Sequence, residues 1–320
     1  MARTSRRYDH SMSFFSILFA LLLEQARPLA SGNPVHAGMR HWMRHVVQNF
    51  DAGRRPHAWT TWVLAVALPS VLTLIIYWIL LTYFSWFFSI CWSVAVLYVT
   101  LGFRHFSHHF TDIRKAFDAG DDALARKLLA QWQQIEVDDL PRQEIIRHLI
   151  EHSVLSAHRH VFGVLTWFTL LAALGFGPAG AVFYRLAEFV PRYWAYLSRQ
   201  KGIPVSNAVV VVAGKGWRII DWLPARITAM CFAAVGNFED AIDNWRNYQK
   251  QDQINNDGLV LAAAAGAINV RLGEDSAASN ASILKVPELA HLRSIVGLVW
   301  RSVVLWLLLT ALLTLARLLG

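Results

Sequence analysis

Charge and cysteine are what this chain has least of. Only 16% of its 320 residues are Asp, Glu, Lys or Arg, where soluble proteins carry roughly a quarter. So little charge argues against an ordinary soluble domain. The two cysteines, Cys91 and Cys231, both lie in apolar runs. They exclude a disulfide framework and lack metal-ligand spacing, so they are expected to be buried, inert thiols. No GxxxxGK[ST] loop, GxSxG elbow or HExxH pair occurs, and the GKG at 214–216 is too short for a phosphate loop. P-loop nucleotide hydrolysis, α/β-hydrolase chemistry and zincin-type proteolysis are therefore excluded.

Apolar surface takes the place of charge. Hydrophobic residues make up 55% of the chain, with 14 tryptophans, and mean hydropathy is +0.34. Tryptophan is enriched where membrane proteins meet the headgroups. The net charge of +8 fits cytoplasmic loops facing anionic lipid better than nucleic acid, because no basic-aromatic binding module is present. Membrane lipid is the expected partner and nucleic acid is not.

Long apolar runs predict an all-α, polytopic integral membrane protein with four or five transmembrane helices and a cytoplasmic helical region. Residues 1–58 read as an N-terminal anchor and basic segment. Within them, RTSRRYDHSM precedes SFFSILFALLL like a signal peptide, but Glu24, Gln25 and Arg27 stand where a cleavage site would be. Residues 59–103 hold two apolar runs with a short turn between them, a transmembrane hairpin with Pro69 inside its first arm. A hairpin leaves both of its flanks on one side. Arg27, Arg40, Arg44, Arg54 and Arg55 against Glu24 and Asp51 make that side cytoplasmic. Residues 104–160 share it as a helical hairpin, with one helix starting at Asp121 and Asp122 and another at Pro141.

Residues 161–190 read as one transmembrane helix, interrupted by Gly175, Gly177, Pro178 and Gly180. Such a break fits backbone lining a cavity, as in a transporter. It equally fits a close helix crossing built on small residues. Residues 191–292 carry a basic stretch, a segment at 217–236 that suits a re-entrant helix or a full crossing, and a polar region. Residues 293–320 form the last span.

Two motifs inside this apolar setting plant an arginine beside small residues: DWLPARITA with Arg226, and AAAAGAINVRLG with Arg271. A guanidinium in such surroundings needs an anion or a hydrogen-bonded partner. Pro224 is expected to open a helix, which would set Arg226 at an N-terminus where anions are favoured. Histidines recur four apart, as His41/His45, His105/His109 and His148/His152. Each pair would share a helix face, but no cysteine or carboxylate completes a metal site, so no metal is expected. Glu239, Asp240 and Asp243 fall within about one turn, a spacing that suits Mg²⁺ but is commoner at a solvated helix start.

At these motifs the chain resembles the CobD/CbiB–AmpE superfamily of inner-membrane proteins, from SILFALLLEQ to the last span. NPVHAGMRHW (Asn33–Trp42) resembles the synthases' HPV segment, with Asn33 for its His. GPAGAVFYR (Gly177–Arg185) resembles PGALLYR, and WLPAR (Trp222–Arg226) is a motif of the whole superfamily. AAAAGAINVRLG resembles AAMAGALGVRLG, while FAAVGNFEDAIDNW (Phe232–Trp245) is closer to AmpE. The resemblance implies a bacterial inner-membrane, multi-pass protein related to cobalamin biosynthesis. The synthases form an ATP-dependent amide between adenosylcobyric acid and aminopropanol or its phosphate.

The departures bear on chemistry. Where the synthases read S-V-E-N-x-x-D-G, this chain reads Ser153, Val154, Leu155, Ser156, Ala157, His158, Arg159, His160. The S-P-N-x-G segment survives as INNDG, keeping Asn256 and Gly258. Replacing an acid by Arg159 reverses local charge where phosphoryl chemistry needs carboxylates to hold metal. The expectation is a site for an anionic, corrinoid-related small molecule. Arg226, Arg271 and Arg159 would bind it and Asn256 and Asp257 would orient it, with synthase chemistry altered or lost and an AmpE-like regulatory role in view. The alternative is an active amide ligase using Mg²⁺ and ATP, drawing its carboxylates from Glu151, Glu239 or Asp240.

Overall fold

The computed structural model describes residues 2–27, 33–133, 141–199, 203–251, 254–273 and 284–319. Those residues are all-α, with one isolated parallel bridge between Val270 and Lys285. They fall into two compact units. The first gathers residues 1–102, 163–224 and 309–320; the second gathers residues 103–162 and 225–308.

In the first unit α1 (Ala2–Ala26) packs on α4 (Trp86–Thr100), and α2 (Pro34–Phe50) packs on α3 (Arg55–Ile79). Asn33 caps α2 by accepting from the Val35 N–H at 2.9 Å, with Pro34 at the first helical position. A π turn at Leu80–Phe84 ends α3, and Ser85 caps α4 by accepting from the Phe87 N–H at 3.2 Å. Two apolar helices joined by a short turn are thus present over this stretch, the second, Trp86–Thr100, shorter than a candidate span. Pro69 lies inside α3.

Among the described residues two helices are long and apolar enough to cross a membrane, at Arg55–Phe84 and Leu289–Ala316; shorter apolar helices lie at Ser13–Ala26, Trp86–Thr100 and Asn256–Ile268. Leu72, Ile75 and Ile79 on α3 and Leu308, Leu312 and Leu313 on α13 (Leu289–Leu319) are exposed. Water would penalise each such row of large apolar side chains. Cys91, expected to be buried, is exposed on α4 beside the exposed Phe87 and Phe88, whereas Cys231 is buried.

The single helix expected over 161–190 is two helices. α8 (Gly163–Ala173) stops, the chain turns through Gly175 at φ +84° and Gly177 at φ +52°, and α9 (Ala179–Arg199) folds back on α8. Positive φ favours glycine, and two such residues reverse the chain. A Cβ on Gly180 would lie 2.1 Å from the Trp167 carbonyl oxygen. The glycines therefore serve a tight helix crossing.

The 104–160 region is three helices rather than a hairpin: α5 (Phe103–Asp118), α6 (Asp122–Gln133) and α7 (Arg142–Ala157). Both starts read from sequence hold. Asp121 accepts from the Leu124 N–H at 2.8 Å, and Pro141 immediately precedes α7. What periodicity hid is that α5, α6 and α7 all pack on one another. The second unit also holds α11 (Phe238–Tyr248) and α12 (Asn256–Ile268), which pack closely together. α10 (Asn207–Val235) supplies residues up to Pro224 to the first unit and the remainder to the second.

Candidate functional site

Pro224 does not open a helix. It sits inside the 29-residue α10, which already begins at Asn207. Ser206 starts that helix instead. Its N–H and Oγ donate to Asp51 Oδ2 and Oδ1, each at 2.7 Å. Arg226 therefore has no helix N-terminus of its own. It gains one from a neighbour.

That neighbour is α12. Ala229 of α10 shares a buried cluster with Leu259 and Ala263 of α12. Further along, a Cβ on Gly236 would lie 2.6 Å from the Ala267 Cβ. The two helices thus run in the same direction, and Arg226, one turn before Ala229, stands level with the first turn of α12. That turn begins with Asn256 and Asp257, and Asn255 caps it by accepting from the Gly258 N–H at 2.6 Å. The positive end of a helix favours an anion here.

Arg159 arrives from α7. A π turn at His158–Phe162 follows that helix, and such turns redirect side chains by adding a residue to the ladder. His158, fully buried, hydrogen-bonds through Nδ1 to Thr228 Oγ1 at 2.9 Å. Phe162 meets Phe232 edge-on, with ring centroids 5.6 Å apart. Between them Arg159 Nη2 donates to Asp257 Oδ2 at 2.5 Å. Asp257 Oδ1 is buried with no hydrogen-bond partner. Arg159 thus meets Asp257 beside Asn256 at the start of α12, and Arg226 lies on the turn of α10 before Ala229.

Arg271 belongs to the other end. Asn269 closes α12 in a left-handed conformation at φ 54°. The chain then pairs with the segment at Lys285, the Arg271 N–H donating to the Lys285 carbonyl at 2.9 Å. Two residues on, the Gly273 N–H donates to Glu151 Oε1 at 2.7 Å. The 13 residues of α12 span about 20 Å at about 1.5 Å each. Arg271 thus follows the C-terminal end of α12, whereas Arg159 pairs at its start.

The carboxylates considered for metal are committed elsewhere. Glu151 takes the Gly273 N–H and faces Arg147 at 3.5 Å. Asp240 accepts from Asn237 Nδ2 at 2.5 Å while Asn237 Oδ1 accepts from the Asp240 N–H at 3.4 Å, a reciprocal cap that starts α11. Glu239 and Asp243 are exposed. Among the described residues no group of three His, Cys, Asp or Glu side chains could hold a metal ion; the side chains of His105, His108 and His109 lie outside them.

Two buried acids lie in the first unit: Asp221, for which the sequence offers Arg226 as a partner, and Glu188, which sequence reasoning passed over. Tyr184 Oη donates to Asp221 Oδ1 at 2.8 Å, with both residues fully buried. Glu188, also buried, takes Arg185 Nη1 at 2.7 Å and Arg192 on its other oxygen. The spacing of Arg185, Glu188 and Arg192 on one helix was the available signal.

Comparison with known proteins places this scaffold in a class. The family described as CobD/Cbib protein matches residues 17–297. The chain belongs to the CobD/CbiB family, which is related to cobalamin biosynthesis. It is 29% identical to cobalamin biosynthesis protein CobD of Stutzerimonas stutzeri, over 92% of this chain and 96% of the relative. A protein of the same name from Chromobacterium violaceum is 32% identical over 56% of this chain and 54% of its own length. One from Desulfotalea psychrophila is 25% identical over 82% and 83%. No solved structure matches.

Proposed function

We propose that this chain is a multi-pass inner-membrane protein of the CobD/CbiB family that binds an anionic, corrinoid-related small molecule at the start of α12, with synthase chemistry altered or lost. Arg226 and Arg159 supply the positive charge, and Asn256 and Asp257 orient the ligand. Arg271, beyond the C-terminal end of α12, is the third cation of the set. The observation that carries the reading is the Arg159–Asp257 ion pair. An arginine stands in a segment where the resembling synthases carry acids, and it engages one of the few carboxylates nearby.

A second reading is an active adenosylcobinamide-phosphate synthase, an ATP-dependent amide ligase. It is supported by the near-complete coverage of the Stutzerimonas stutzeri relative. Complementation separates the two. A strain lacking the synthase is given this chain or its Arg226→Ala variant and grown without exogenous cobalamin. No rescue by either, together with corrinoid binding that weakens in Arg226→Ala, is expected. Rescue by the unmodified chain would overturn the binding-only reading.

A further inference from the structure

The first unit contains a cavity that the α12 site leaves unused. It has a volume of about 540 Å³ and is walled by α2, α3, α4 and α9, within the range of about 300–1,000 Å³ typical of ligand pockets. Its walls are apolar side chains such as Val35, Leu72 and Val96, and Arg185 is the one charged residue lining it. The polar groups in the walls point their hydrogens elsewhere. Thr73 Oγ1 donates to the Pro69 carbonyl at 2.9 Å and Thr100 Oγ1 to the Val96 carbonyl at 2.8 Å. Trp92 Nε1 donates to the Thr73 carbonyl and Trp42 Nε1 to the Ala65 carbonyl, each at 3.2 Å. A polar metabolite placed here would lose its water and find almost nothing to replace it.

Charge enters through one wall. Arg185 and Arg192 both pair with Glu188, two cations on one acid. Arg40, next to the wall residue Met39, is exposed on α2. Both Arg40 and Arg185 lie near enough to His36 to oppose its protonation. An apolar chamber with a cationic residue in its wall, in a unit with a helix long enough to cross a membrane, matches a molecule with a long hydrocarbon tail and an anionic head. We propose that the cavity holds one acyl chain of an anionic phospholipid, with its phosphate between Arg40 and Arg185. This proposal rests on the membrane placement given above.

Gly38 makes it testable. It lines the cavity, and a Cβ built on it meets no atom within 4 Å. Leucine there fills the chamber without a backbone clash and suits a helix better than glycine. Ala95, exposed on the α4 wall, allows a second plug from the opposite side, Ala95→Leu. The full chain, purified in detergent, is mixed with phosphatidylglycerol, with phosphatidylcholine of the same acyl chains, or with inorganic phosphate, and bound lipid is counted by native mass spectrometry. One phosphatidylglycerol is expected to be retained about tenfold more tightly than phosphatidylcholine, with no competition from phosphate. Gly38→Leu and Ala95→Leu should each lose most of it, and Arg40→Ala should lose the headgroup preference. Unchanged retention in both plugged variants, or equal retention of the two lipids, would overturn the lipid site alone. Release of the wild-type chain from membranes by alkaline carbonate would overturn both the site and the membrane placement.

Discussion

Arg159 and Asp257 lie 98 residues apart in sequence and meet at 2.5 Å, so that the turn after α7 is fastened to the first turn of α12. The side chains are 21% and 36% exposed, between the surface regime, where such pairs contribute little, and the buried one, where breaking them is costly. Asp257→Ala should lower stability by about 1–2 kcal/mol. Asp257→Asn, which keeps the shape and one hydrogen bond, should cost less. Thermal unfolding in detergent at low and high salt checks this, and equal loss in the two variants would show that the charge is irrelevant.

Gly266 permits the closest backbone approach in the second unit. A Cβ there would lie 2.3 Å from the Asp240 carbonyl oxygen, and the Asn237 N–H donates to the Ala267 carbonyl at 3.1 Å beside it. Alanine raises helix propensity by about 1 kcal/mol, but overpacking costs about 1–3 kcal/mol. The steric effect should win, so Gly266→Ala is expected to destabilise and Gly266→Val to destabilise more. A stabilised Gly266→Ala in a denaturation series would refute the contact.

Tyr184→Phe removes the hydroxyl donated to Asp221, whose carboxylate is fully buried. Loss of a hydrogen bond to a charged buried group costs about 1.5–3 kcal/mol. The double variant Tyr184→Phe/Asp221→Asn should therefore be no less stable than Tyr184→Phe alone. A strictly additive pair would disprove the coupling.

His36 carries a pH dependence. Burial, then Arg185 and then Arg40, push its pKa below the ordinary 6.5, against a smaller raising effect from its hydrogen bond to the Val99 backbone. Below 6.5 the unfolded chain takes up a proton that the folded chain refuses. Stability is thus full above that value, falls as pH drops through the depressed folded pKa, and then levels off. His36→Gln should flatten the curve of melting temperature against pH in this window. Parallel curves for the two proteins would remove His36 as the cause.

Much of this architecture was legible because its causes are local. Asp121 before α6, Pro141 before α7 and the two arms of the α3–α4 hairpin announce themselves through caps and apolar runs. The reading of Pro224 failed because proline marks a helix start only when nothing upstream is already helical, and the VVVV run from Val209 was. The glycines at 175–180 admitted two meanings, and only the approach of Trp167 to Gly180 decides between them. The site was half visible. Its arginines stood out as charges in apolar surroundings, yet their allocation to opposite ends of α12 depends on how that helix lies between α7 and α10. No spacing in the chain records that.

The charges around Glu188 have a consequence for assembly order. Arg185, Glu188 and Arg192 are three and four residues apart on α9, so their pairing needs only that helix and no other part of the fold. Helices form in well under a microsecond to about a microsecond, far ahead of tertiary packing. The acid can therefore enter its apolar surroundings already neutralised. It never has to find a partner distant in sequence, as Asp257 does in Arg159.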